Sequence, residues 1–159
     1  MSEVYCIYKN EKYPAEIKNG VVEITSAVPA EGFEQYVDVI GRIHNDLFIK
    51  KIDADKVDDI YKEDVFIKYK GVYFQLFADE IFKEDVLNRS YMIWTASEQL
   101  AYDYGFKKKE QFVFVKYIMR EEIETVKILK KPVLEFKDRK QSEEILEGGS
   151  LDKWLSELI

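Results

Sequence analysis

Phe48-Ile49-Lys50-Lys51-Ile52, running into Asp55-Lys56-Val57-Asp58-Asp59-Ile60, decides how this chain is read. Sixty-six residues later, Phe114-Val115-Lys116-Tyr117-Ile118 runs into Glu121-Glu122-Ile123-Glu124-Thr125-Val126. Working outward, further matches keep the same order. Tyr8-Lys9 answers to Tyr69-Lys70, Ile24-Thr25-Ser26-Ala27 to Trp94-Thr95-Ala96-Ser97, and Gly32-Phe33 to Gly105-Phe106. The offset drifts from about 61 to 73 and back to 66, as expected of a duplicated module whose loops changed length. The chain is therefore expected to hold copy one over 1–66, copy two over 65–136, and a helix over 150–159 docked on the body.

The local pattern is rich in strands. Val4 to Tyr8 and Tyr13 to Ile17 flank Asn10, a residue that tolerates a left-handed turn. Asn19-Gly20 is a tight-turn signal ahead of Val21 to Thr25. Pro29 and Gly32 break regular structure, and Phe33 to Ile43 reads as a short helix or an extended connection. Leu47 to Ile52 is a strand. Asp53 is placed to cap a short helical stretch, Ala54 to Tyr61, and the next strand starts near Val65. That strand opens copy two, and Gly71 takes the turn position of Asn10. Val72 to Phe77 pairs back, Ala78 to Arg89 is an insert without counterpart, and Ser90 to Trp94 is the third strand. Thr95-Ala96-Ser97-Glu98 fits a capping box for a helix closed by Gly105. Gln111 to Ile118 is a strand, Lys107-Lys108-Lys109 a solvated turn, and Arg120 to Glu124 echoes the helical stretch of copy one. Val126 to Leu129 and Val133 to Phe136 are strand-like. Ser150 is placed to cap a last helix, whose Leu151, Trp154, Leu155, Leu158 and Ile159 form an apolar stripe. The fold class is α+β and β-rich.

Composition narrows the function. Apolar content of 47% with 14% aromatics is that of a globular chain. No stretch approaches the roughly 20 apolar residues of a membrane span. Met1-Ser2-Glu3-Val4 lacks a basic segment followed by an apolar one, so no signal peptide is expected. Net charge is −7. Residues 1–66 hold 14 acids against 8 bases, whereas residues 67–159 hold 17 against 16. A nucleic-acid binder carries a basic surplus, so neither nucleic acid nor membrane is expected as a partner. A single cysteine, Cys6, rules out an intramolecular disulfide and points to a cytoplasmic location.

Chemistry-bearing residues are sparse. His44 is the one histidine and sits in a polar stretch, too little for a histidine-based metal site. Cys6 lies in a strand, where a thiol is buried and inert. Phosphate-cradling loops and nucleophile elbows are absent from the sequence. No catalytic residue, metal or cofactor is expected. Asp53, Asp55, Asp58, Asp59, Glu63 and Asp64 form the densest acidic cluster. With Trp154 they are the expected partner-binding residues.

Three resemblances follow from these residues. Each copy runs strand, strand, strand, connection, strand, helical turn, strand, an order that resembles small SH3-like barrels; a single twisted sheet is the competing arrangement. Trp94-Thr95-Ala96-Ser97-Glu98 with Ala101 and Tyr104 resembles the strand–helix segment of ADP-ribosyltransferase-like folds, which implies an NAD-using enzyme as an alternative. In general character, compact, acidic, aromatic-rich and without catalytic motifs, the chain resembles the small antidote or immunity proteins that bacteria pair with secreted toxins. That resemblance implies a non-catalytic protein-binding module facing a cationic toxin domain. The remaining alternative is a structural or regulatory domain that self-associates through its last helix.

Overall fold

The computed structural model describes residues 3–77, 81, 83–136 and 138–158. Copy one begins with β1 (Glu3–Tyr8), β2 (Glu11–Lys18) and β3 (Val21–Ser26), joined by left-handed turns at Lys9-Asn10 and Asn19-Gly20. β4 (Glu34–Val37) and β5 (Ile43–Asp53) follow, then a 3-10 turn at Ala54–Lys56 and β6 (Asp59–Tyr69). Strand pairing decides two expectations here. Residues 33–43 take the extended alternative and not the helical one, because β4 pairs with β5 and draws β5 forward to Ile43. The helical stretch after Asp53 lasts three residues, and the Asp53 side chain makes no capping bond. Ile60 and Tyr61 already belong to β6, buried and paired with Cys6 and Tyr5. Cross-strand pairing overrides the weak helical spacing.

Copy two shares β6 and continues with β7 (Val72–Leu76), α1 (Lys83–Leu87), β8 (Ser90–Thr95), α2 (Glu98–Tyr104), β9 (Lys107–Glu110) and β10 (Val113–Met119). A 3-10 turn at Arg120–Glu122 then leads into β11 (Ile123–Pro132). α1 lies in the expected insert, of which residues 78–80 and 82 fall outside the described residues. The cap of α2 is Ser97, whose Oγ accepts the Leu100 N–H at 3.2 Å. Thr95 sits two residues earlier and accepts the Ser97 N–H at 3.1 Å. Gly105 closes the helix at φ +75° as expected. Lys107–Lys109 is an exposed edge strand rather than a turn. β11 runs unbroken to Pro132, a proline tolerated at a strand end, and Leu134–Phe136 is a 3-10 turn rather than a strand. β12 (Ser142–Leu146) and α3 (Gly148–Ser156) complete the chain. α3 starts before Ser150, whose Oγ donates to the Glu147 carbonyl at 2.8 Å. Leu151 and Leu155 of its stripe are buried, Trp154 and Leu158 partly so, and Ile159 lies outside the described residues.

The chain forms two compact units, Ser2–Glu63 with Lys130–Ser142 and Asp64–Leu129 with Glu143–Ile159. Residues 130–136, read above as part of copy two, thus belong to the first unit. The first has strand order β6-β1-β2-β3-β5-β4 around Cys6, Val22, Ile24, Ile52, Val57 and Ile60. The second has β11-β6-β7-β8-β10-β9, with β12 added to β11, around a larger core that includes Ile67, Tyr69, Phe74, Ile93, Ile118, Val126, Leu151 and Leu155. Position for position, the two orders are the same.

The duplication extends to side-chain contacts. Ser26 stands opposite Phe48, and Thr95 opposite Phe114. This register matches Ile24-Thr25-Ser26 to Ile93-Trp94-Thr95, one residue from the match drawn on sequence. The hydroxyls agree, since Ser26 Oγ accepts the N–H of Val28, as Thr95 Oγ1 accepts that of Ser97. A β-carbon added to Gly32 would meet Lys50 Nζ at 2.4 Å, and one added to Gly105 would meet Lys116 Nζ at 3.4 Å. Lys50 lies over the Tyr8 ring and Lys116 over the Tyr69 ring. Phe33 packs on Tyr13 and Phe106 on Phe74. The turn amide of Asn10 reaches the Asp58 carboxylate at 3.4 Å, and that of Gly71 reaches Glu124 at 2.8 Å.

Candidate functional site

The acidic stretch expected to bind a partner is divided by its own fold. Asp53, Asp55 and Asp58 are exposed. Asp53 pairs with Lys56 at 3.8 Å, and Asp58 holds the Asn10 turn. Asp59 pairs with Arg139 at 3.4 Å. Glu63 is buried and bonded to Lys12 at 3.1 Å, and Asp64 is buried. Trp154 packs against the core of the second unit. The split follows position: Asp53, Asp55 and Asp58 lie at the end of β5 and in the turn that follows, whereas Glu63 and Asp64 lie inside β6.

The other sequence candidates are structural. Cys6 is fully buried, and burial, reinforced by Asp58 and Asp59, pushes its thiol up to about 11. Such a thiol is not a nucleophile near neutrality. His44 lies in β5 rather than a loop, with Nε2 3.0 Å from Asp38 Oδ2. The Thr95-Ala96-Ser97 segment is matched by Ser26 and its i+2 hydrogen bond in copy one, so scaffold accounts for it.

The two modules differ on their outward faces. Glu23 lies between buried Val22 and Ile24, so it points away from the core. It stands directly across from Glu16. With Glu3, these carboxylates border a cleft of about 400 Å³ whose walls include Pro14, Tyr36, Leu47 and Ile49. Lys18 approaches Glu16 at 3.5 Å and Lys51 faces Glu23 across β5. The lining itself holds three carboxylates and one lysine. Like charges directly opposite on a sheet face cost stability, a cost that Lys18 and Lys51 offset in part.

Copy two puts aromatics on the same face. Phe66, Tyr73, Gln75 and Trp94 line a smaller pocket of about 190 Å³. Tyr73 lies under Lys127 at 4.3 Å, and its hydroxyl is 3.3 Å from Thr125 Oγ1. Trp94 occupies the position of Thr25, and its Nε1 is buried with no hydrogen-bond partner among the described residues.

Glu3, Glu16 and Glu23 were not among the residues singled out from sequence. The signal that locates two of them is Asn19-Gly20: a two-residue turn puts Lys18 opposite Val21, and Glu16 opposite Glu23 two steps on. Among the described residues no helix is long and apolar enough to cross a membrane.

No curated protein and no solved structure matches this chain. The model of a family described as Uncharacterised conserved protein UCP033725 matches residues 1–135, which leaves β12 and α3 outside the match, and the chain belongs to that family.

Proposed function

We propose that this protein is a non-catalytic protein-binding module, and that the outward face of copy one receives a cationic, partly apolar segment of another protein. The supporting observation is the Glu16–Glu23 pair beside a cleft walled by Tyr36, Leu47 and Ile49. A basic side chain placed between the carboxylates would relieve their repulsion, while its aliphatic stem lies along the apolar wall. The acidic surplus of copy one speeds the approach of a cationic partner. Asp53, Asp55 and Asp58, exposed on the same unit, add to that field without touching the cleft. An antidote protein that neutralises a cationic toxin domain would use this arrangement.

The double variant Glu16→Gln/Glu23→Gln tests the reading. Wild type and variant are cross-linked in cells, and the bound proteins are identified by mass spectrometry. A basic protein held by wild type and lost by the variant, with folding intact, is the expected result. Equal recovery by both removes the cleft from the interface.

A further inference from the structure

The strands β4, β9 and β12 leave free edges, and they differ in how those edges are guarded. β9 and β4 are counterparts, since Lys108 stands across from Phe114 as Gln35 does from Phe48. β9 carries Lys107, Lys108 and Lys109, all exposed. It is also bulged: Lys108 and Glu110 pair with the consecutive residues Phe114 and Val113, which leaves Lys109 as the extra residue. Lysines and bulges both keep an edge from pairing. β12 carries Glu143 and Glu144, which as neighbours on a strand put a carboxylate on each face. β4 has neither device. Glu34 is its one charged residue, and the extra residues of its bulge, 45–47, lie on β5. Its hairpin is longer than that of copy two, with residues 36–47 between Gln35 and Phe48 against 109–113 between Lys108 and Phe114. Asp38 holds that hairpin, its Oδ1 accepting the N–H groups of Ile40 at 3.0 Å and Arg42 at 2.9 Å.

The surroundings of β4 select what it can pair with. Opposite residues in a sheet share a face. Glu34 stands across from Ile49, and Ile49 and Tyr36 line the cleft, so Glu34 and Tyr36 lie on the cleft side. Val37, 53% exposed, takes the other side. Glu31, Glu34 and Asp46 are exposed and form no ion pair among the described residues. The neighbouring cations leave them so: Lys50 lies over the Tyr8 ring, and Arg42 lies beyond the Val37 end. In copy two, by contrast, Arg89 and Arg120, beside a pocket walled by Val86, Leu87 and Leu155, already pair with Glu121 at 3.2 Å and Asp152 at 2.5 Å. A second β4 is a poor match for the first. Laid antiparallel about a twofold axis at Gln35 or Tyr36, it brings Glu34 beside Glu34 or Asp38 of the second copy, a like-charge contact.

We propose that β4 takes on an extended segment of a different protein as an added strand, with a basic side chain beside Glu34 and apolar side chains beside Tyr36 and Val37. Main-chain hydrogen bonds to the edge supply affinity, and the alternation of side chains supplies selectivity. This rests on the reading that copy one receives a cationic, partly apolar segment, and it states how that segment is held. The added strand lies three strand spacings from β3, about 14 Å, so its side chains do not reach Glu23. Edge and carboxylate pair are therefore separately testable.

The probe is a short peptide of alternating lysine and valine, titrated into the isotope-labelled full chain and followed by amide shifts and amide hydrogen exchange. It should saturate, with the largest shifts at Glu34–Val37, and slow the exchange of β4 amides. The same peptide with glutamate for lysine should bind about tenfold more weakly or not at all. A lysine–valine peptide methylated at every backbone nitrogen keeps its charge and should fail to protect β4. Glu34→Lys/Gln35→Lys copies the edge of β9 onto exposed positions, so it should fold, as circular dichroism checks, and lose the peptide. Glu16→Gln/Glu23→Gln should leave the β4 shifts in place. Lack of saturable β4 shifts at millimolar peptide overturns the proposal, as does equal binding by the glutamate peptide, by the methylated peptide or by Glu34→Lys/Gln35→Lys. Shifts confined to β2 and β3, and lost in Glu16→Gln/Glu23→Gln, keep the cleft reading and reject the added strand. Self-association of wild type in sedimentation velocity, abolished by Glu34→Lys/Gln35→Lys, assigns the edge to a second copy and also rejects it.

Discussion

Copy one and copy two hold the same frame with different surfaces. The buried positions match, as Ile24 with Ile93, Ile52 with Ile118 and Ile60 with Val126. So do the glycine beneath a lysine and the carboxylate that ties the first turn. The outward faces diverge: copy one is acidic with a long apolar hairpin, and copy two is aromatic, with a lysine edge strand and an arginine-rimmed pocket. The frame builds each core and accounts for most of the residues that look distinctive in the sequence. The features that copying does not explain are the ones free to serve binding.

The strongest way to break the equivalence is through the cores. Ile24→Ala and Ile93→Ala each remove a fully buried side chain and should each cost about 2–5 kcal/mol in urea unfolding. A loss below about 1 kcal/mol at either site would show that the two positions are not alike.

Alkaline pH should separate the copies next. Burial raises the Cys6 thiol from 9.0 to about 11. Burial first, then Glu63 and Asp59, raises the Tyr61 phenol from 10.0 to about 12. The unfolded chain gives up these protons first, so stability should be flat up to about pH 9 and fall as pH rises toward 12. Tyr61→Phe should flatten the upper part of that fall. Cys6 should resist iodoacetamide at pH 8 until the protein unfolds, and prompt labelling would contradict its burial.

Gly32→Ala and Gly105→Ala force alanine into φ +81° and +75° and should each cost about 1–2 kcal/mol. Thermal melts in which only one substitution matters would mean that just one of the two lysine–glycine contacts is structural. Glu124→Gln should cost about 1 kcal/mol and Asp58→Asn less, following their 2.8 and 3.4 Å bonds to the turn amides. The smallest effect has the opposite sign. Glu16→Gln/Glu23→Gln should raise stability by a few tenths of a kcal/mol, because it removes a like-charge pair. A drop in stability would mean that the pair serves the fold after all.

The sequence disclosed the repeat, its hairpin turns at Asn10 and Asn19-Gly20 and the helix cap at Gly105, because left-handed turns admit few residue types. It misplaced the cap of α2 by two positions, since Thr95 and Ser97 are both able to cap and only the backbone decides which one does. It read residues 54–61 as helical because short apolar spacings suit a helix or a strand until a partner strand is fixed. The acidic stretch at 53–64 was conspicuous in one dimension, but β6 turns Glu63 and Asp64 into the protein. The cleft was harder to find, because Glu3, Glu16 and Glu23 lie on three strands and converge only through register.

Composition and pattern by themselves determined a β-rich, doubled, acidic chain with one inert thiol, since hydrophobic alternation and turn chemistry are local properties. The tertiary structure alone decided which carboxylates face outward, which hairpin outgrew its twin, and where Arg89 and Arg120 meet an apolar wall. Those are outcomes of strand register and long-range pairing, which depend on residues far apart in the chain.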